Sequence, residues 1–313
     1  MDKEILVKLL VDLQKETIGI ELYFLLKSGD IKLVELEDEL SNKLQNQFLK
    51  EVNFSFNEEA NFSLLEIDKL DDERANTYYY FDSKNMYEKV SFILEFAKKD
   101  SHEKFSIKDS KLSDIGAFLI KIGNQDKNII LYKNQDGFNL LKKDTSIKIF
   151  QKGESFEEVE SDILSITSSF DFLLIDEHLI IKNLKTLERT LSYTDIIHKK
   201  AISNIELIKT LNFLENLDGL EKHLKTTSLA KKFNKAQSSP VIKIMQDDIE
   251  RVIEFIKKHP VTKSKLKLNG DDKLILDTKI SVEVFLKLLD DDYLQSELTK
   301  LLYDSRSKDG LND

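Results

Sequence analysis

Apolar residues at Ile5, Leu6, Leu9, Leu10 and Leu13 recur three and four positions apart among charged neighbours. That spacing predicts an amphipathic helix at the start of the chain. The period then shortens. Ile18–Leu26 and Ile31–Leu36 read as strands joined by Ser28-Gly29-Asp30, a hairpin turn. A helix follows through Leu40, Leu44 and Phe48, and the aromatic run Tyr78-Tyr79-Tyr80-Phe81 predicts a strand. Between Val90 and Phe96 the spacing suits a helix and a strand equally.

The central third is strand-like. Ala117–Ile122 and Asn128–Lys133 flank Gly123-Asn124-Gln125-Asp126, which predicts a second hairpin, and Ser146–Phe150 reads as a third strand. Asp171–Ile175 and Leu179–Lys182 form another hairpin around Asp176-Glu177-His178. From Asn183, an N-cap for Leu184–Leu191, the period becomes helical. Ser203-Asn204-Ile205-Glu206 has capping-box spacing ahead of Leu207, Leu211 and Leu214, with Gly219 as the residue after that helix. A helix from Gln246 to Lys258 stops at His259-Pro260, and Lys265–Leu268 and Lys273–Leu276 turn at Asn269-Gly270. Helices over Ser281–Leu289 and Tyr293–Tyr303 precede a frayed tail from Ser305. The fold class expected is therefore α+β: a mixed N-terminal region (1–103), a central antiparallel β-sheet (104–183) and a mostly helical C-terminal region (184–313).

Composition narrows the chemistry. With 41% apolar and 33% charged residues over 313 positions, the chain can bury a sizeable core. It has no cysteine, which removes disulfides, thiolate metal sites and thiol nucleophiles together. The N-terminus lacks a basic leader and no apolar run approaches the roughly 20 residues of a membrane span. A cytoplasmic protein is expected, recruited to the inner face of a membrane only through a partner.

Nucleotide hydrolysis by a phosphate loop is excluded by glycine spacing, and no G-x-S-x-G elbow occurs. No two of the five histidines are separated by one or three intervening residues, as metal-binding pairs on one strand or helix require. A metal-dependent nuclease needs an Asp at one strand end and an acid-x-Lys pair on the next strand. Asp171 or Asp176 followed by Lys182 comes nearest, but Ile180 occupies the position of the second acid and Glu-x-Lys is absent from the chain. His178 at its hairpin tip reads as solvated, Asp176 and Glu177 as turn acids, and Asp290-Asp291-Asp292 as a helix junction with Asp292 capping the next helix. No catalytic residue, metal or cofactor is assigned.

Charge supplies the positive signal. The chain carries a net −10, yet Lys222 to Lys267 holds twelve Lys and Arg against four acids. Such segregation is the footprint of a face that meets phosphate. Lys231, Lys232 and Lys235 fall on one helical face, Lys263, Lys265 and Lys267 alternate as on one side of a strand, and Lys243, Lys257 and Lys258 lie between. Arg251 is the one arginine there, so the binding expected is to DNA, without sequence preference and strongly dependent on salt.

The succession Ile129-Ile130-Leu131-Tyr132-Lys133, Phe172 to Ile181 and Asn183-Leu184-Lys185, with Phe285 to Thr299 near the end, resembles the domain that defines the KwaB family of the Kiwa anti-phage defence system. The resemblance implies a soluble subunit that works with a KwaA-like membrane protein and engages phage DNA to block its replication or expression. Self-association, as a homodimer or higher homo-oligomer, would duplicate a modest basic patch. The competing readings are a metal-dependent nuclease and an adaptor whose lysines face anionic lipid head groups.

Overall fold

The protein is described from a computed structural model at all residues except 16–17, 58–59, 71–73, 100, 125, 136–139, 142–148, 153–154, 159–161, 238, 296–301 and 305–313. Its contacts divide it into two compact units, residues 1–67 with 75–191, and residues 68–74 with 192–313.

The first unit contains α1 (Lys3–Gln14), β1 (Gly19–Leu26), β2 (Ile31–Val34), α2 (Asp38–Phe56), β3 (Ser63–Glu66), β4 (Thr77–Asp82), α3 (Glu88–Ala97), β5 (Ile115–Gly123) and β6 (Asn128–Asn134). Then come β7 (Leu140–Leu141), β8 (Ile149–Lys152), β9 (Ser155–Glu158), β10 (Ile163–Leu164), β11 (Phe172–Ile175) and β12 (His178–Ile181). Eight of these strands form one sheet in the order β2-β1-β5-β6-β11-β12-β4-β3. All its pairs are antiparallel except β3 with β4, so the central sheet is mixed and draws strands from both 1–103 and 104–183. The strand expected at 146–150 is described from Ile149 onward, and there it pairs with β9 in a separate ribbon.

Both faces of the sheet are covered, which explains why β11 is buried at every position and reads as a continuous apolar run. On one face Leu22, Phe24, Phe118, Ile120, Leu131 and Leu173 form a core with Leu6 and Leu10 of α1 and Phe48, Val52 and Phe56 of α2. On the other, Tyr23 meets Phe96 of α3 edge-on at 4.8 Å between ring centres, and Phe92 meets Tyr132 at 6.0 Å. This settles Val90–Phe96 as helix. At the β5–β6 turn Gly123 has φ +147° and a Cβ there would lie 2.2 Å from the Lys127 carbonyl oxygen, so the bend admits no side chain. After β12, Asn183 caps the next helical turn as expected, its Oδ1 accepting from the N–H groups of Lys185 and Thr186.

The second unit contains α4 (Tyr193–Thr210), α5 (Asp218–His223), α6 (Thr227–Ala236), α7 (Pro240–Asp247), α8 (Ile249–Lys258), α9 (Pro260–Lys265), β13 (Lys267–Leu268), β14 (Leu274–Ile275), α10 (Lys279–Leu289), β15 (Tyr293–Gln295) and β16 (Leu302–Asp304). Helix α10 buries Val282, Val284, Phe285, Leu286, Leu288 and Leu289, more than one stripe, and α5, α6, α7 and α9 pack around it. A helix apolar on most sides is the centre of its unit.

Several expectations are corrected here. Ser203 is not a cap: α4 runs unbroken through it, and the neighbouring Asn204 side chain donates to Asn234 Oδ1 of α6 at 2.9 Å. Gly219 does not end a helix but lies in the first turn of α5, where a Cβ would fall 1.5 Å from the Leu276 carbonyl oxygen. The helix placed at 246–258 is two helices, α8 beginning at its own cap, Asp248, whose Oδ1 accepts from Arg251 N–H. Tyr293 and Tyr303 lie in an antiparallel ribbon rather than a helix. Asp292 therefore caps no helix; the three aspartates turn the end of α10, their N–H groups donating to Leu286, Leu288 and Lys287 carbonyls.

Candidate nucleic-acid interface

All nine lysines assigned to DNA contact lie in the second unit, on the successive elements from α6 to β13. Lys231, Lys232 and Lys235 share α6, whose buried side carries Leu229, Ala230, Phe233 and Ala236. All three are mostly buried rather than exposed, and none is without a partner. Lys235 donates to Asp290 Oδ2 at 3.2 Å, with both side chains more than three-quarters buried. That contact ties α6 to the end of α10 and takes Lys235 out of the exposed charge.

The α7–α9 lysines are placed differently. Lys243 on α7 and Lys263 and Lys265 on α9 are exposed and form no ion pair with another described residue. Lys257 pairs with Asp272 at 2.8 Å, Lys258 with Glu254 one turn back at 2.5 Å, and Lys267 with Asp277 at 3.6 Å. The Glu254 carboxyl is held below the usual range by the Lys258 ammonium. Lys263 and Lys265 do not alternate on a strand: Pro260 opens a helix that contains both, and only Lys267 is in a strand. Proline at the first helical position and the absence of apolar alternation were the signals for helix.

Position also offers a plain structural reason for much of this charge. Lys235, Lys257, Lys258, Lys263 and Lys265 lie in the last turns of α6, α8 and α9, where the exposed carbonyl ends favour cations. Unpaired, exposed cations carry information beyond that. Besides Lys243, Lys263 and Lys265, they include Lys222, Lys225 and Arg251, which sequence reasoning counted in the window without singling out.

The nuclease-like residues are committed elsewhere. Asp171 accepts from Asn134 N–H through Oδ2 and from the Asn183 amide through Oδ1, each at 2.7 Å. Lys182 donates to Glu51 at 2.6 Å and Ser55 at 2.7 Å, over the ring of Phe170. His178 Nε2 lies 3.9 Å from Asp82, and Asp82 is held below the usual carboxylate range chiefly by the Lys84 N–H it accepts. No group of three or more His, Asp or Glu among the described residues is arranged to hold a metal ion.

Residues 112–299 match the family described as Kiwa protein KwaB-like, a segment that contains β5 and β6, β11 and β12, and every one of the nine lysines. The chain belongs to the KwaB-like family. It is similar to the Kiwa protein KwaB of Escherichia coli O55:H7 (strain RM12579 / EPEC), 29% identical over 304 residues that cover 94% of each chain. No solved structure matches it. Membership makes this a protein of the Kiwa anti-phage defence system, and the KwaB-like match spans parts of both units. No helix among the described residues is long and apolar enough to cross a membrane.

Proposed function

We propose that this KwaB-like protein binds double-stranded DNA without sequence preference, and that it blocks replication or expression of phage DNA together with a KwaA-like membrane partner. The observation that carries this reading is the set Lys243, Lys263 and Lys265, exposed and without ion-pair partners among the described residues, within a window of twelve cations and four acids in a chain of net −10. An acidic protein gains solubility and long-range repulsion from DNA through its overall charge, so unpaired cations gathered in one segment need a purpose. Phosphate is the ligand that fits them, because lysine offers point charges rather than the two-pronged fork that reads guanine. Lys257, Lys258 and Lys267 join the contact by exchanging their acid partners for phosphates, while Lys231, Lys232 and Lys235 contribute at the margin. Duplication of the patch in a homodimer or larger homo-oligomer raises affinity by avidity.

The test is binding of the full chain to a random-sequence duplex, followed by fluorescence anisotropy across a salt series, with and without Mg²⁺. Binding that weakens steeply with salt and leaves the DNA intact in both conditions is expected. Cleavage confined to the Mg²⁺ samples would move the reading to a nuclease, and no binding at low salt would move it to an adaptor.

A further inference from the structure

A lysine inside the first unit is held in a way that the DNA reading does not use. Lys133 follows Ile129 and Leu131 on the α2-facing side of β6, opposite Phe118 of β5, and it is 8% exposed. Its ammonium donates to Ser169 Oγ at 2.5 Å, and it forms no ion pair with another described residue. Asp171, one strand away, has committed both carboxylate oxygens to Asn134 and Asn183. An ammonium this buried, with a single hydroxyl partner among the described residues, has room for another acceptor.

The surroundings indicate which acceptor. Ser169 is exposed, and Thr167 Oγ1 lies 3.2 Å from its Oγ, so the chain presents hydroxyls beside the ammonium. Thr167 and the adjoining Ser168 line a cleft of about 510 Å³ with Gln47, Lys50, Glu51 and Phe54 of α2. Glu51 does not fill the site with negative charge, because Lys182 neutralises it at 2.6 Å. Phe54 is 78% exposed at this cleft and makes no ring contact with another described residue. Lys133 and Ser169 stand behind the cleft lining, joined to it through Thr167, and cationic and hydroxyl donors combined with an exposed aromatic ring form the recognition set for a phosphate joined to a planar base.

We infer that the Lys133–Ser169–Thr167 corner and the Phe54 cleft bind a small phosphorylated ligand of the nucleoside monophosphate class, the phosphate bridging Lys133 and Ser169 and the base lying on Phe54. The inference does not rest on DNA binding by the second unit.

Calorimetric titration of the full chain with adenosine 5′-monophosphate, inorganic phosphate and adenosine separates the parts. The monophosphate binds about tenfold more tightly than inorganic phosphate, as one base stacked on an aromatic ring provides, and adenosine alone gives no measurable heat. Phe54→Ala brings the monophosphate down to the affinity of inorganic phosphate. Lys133→Met removes binding of both, yet melts no lower than the wild type in ligand-free buffer, because it replaces a poorly satisfied buried charge with an apolar chain of similar length. Were that variant not to fold, the surface pair Thr167→Ala and Ser169→Ala must weaken phosphate binding at least about tenfold, the loss of one hydrogen bond to a charged group. No heat with either phosphate ligand, undiminished binding in the lysine or hydroxyl variants, or a Lys133→Met protein that melts lower while still binding phosphate would overturn the inference. Equal affinity for the monophosphate and inorganic phosphate would overturn the assignment of Phe54.

Discussion

Helix α6 and the segment from α7 to α9 are both rich in lysine, and folding puts that charge to different uses. On α6 the lysines flank a buried face, and Lys235 is fixed to Asp290, 55 residues away in the chain. On α7 and α9, Lys243, Lys263 and Lys265 reach solvent and form no ion pair with another described residue. Charge counted along a sequence is therefore not the charge a ligand meets, since Asp272, Asp277 and Asp290 neutralise cations of the window from outside it. Lys235 of α6 is held within its unit, while Lys243 of α7 and Lys263 and Lys265 of α9 remain available.

Reversing each group in turn should separate these roles. Lys243→Glu, Lys263→Glu and Lys265→Glu together should lower duplex affinity roughly a hundredfold at low salt, three phosphate contacts becoming three repulsions, with the melting temperature unchanged. Lys231→Glu, Lys232→Glu and Lys235→Glu should do the reverse: affinity falls only about tenfold, while thermal denaturation shows a clear drop as Asp290 is left facing a like charge in a partly buried site. An α6 triple variant that melts normally yet binds no DNA would break the comparison.

A smaller gain is expected from Asp272→Asn with Asp277→Asn, which frees Lys257 and Lys267. Affinity should rise about threefold, the scale of an exposed ion pair, and asparagine keeps the positive φ that residue 272 adopts. The smallest effect concerns the first unit alone. His102 is packed against Tyr23 and Phe96, and burial lowers its pKa from the ordinary 6.5. The unfolded chain thus takes up the proton first, so stability is fully present above that value and declines as pH falls below it. His102→Phe should keep the ring contacts, flatten this part of the pH–melting profile and leave DNA affinity untouched.

Local pattern made much of the scaffold legible: α1, the β1–β2, β5–β6 and β11–β12 hairpins, α2 and α10 all follow from period and turn chemistry. Strand neighbours from distant parts of the chain were beyond it, such as β1 beside β5 and β4 beside β12, because pairing at long range leaves no local mark. Ser203 misled because Ser-x-x-Glu spacing occurs on the open face of a continuing helix as readily as at its start. The alternation Lys263-x-Lys265-x-Lys267 mimics a strand, but Pro260 at the first helical position is the stronger local signal and starts α9. The lysine window itself was visible in the sequence, but its division into paired and unpaired cations depends on acids that only the fold brings close. Lys133 had one local sign, a cation at a core position of the Ile129, Leu131 alternation.

The central claim is that exposed, unpaired lysines of α7 and α9 meet DNA phosphates. Its most direct test is the slope of log affinity against log salt for a random duplex, measured on the wild-type chain and on the Lys243, Lys263, Lys265 triple variant under identical conditions. The slope of the variant should be shallower by about 2.7, three released counterions fewer. An unchanged slope, with affinity intact, would contradict it.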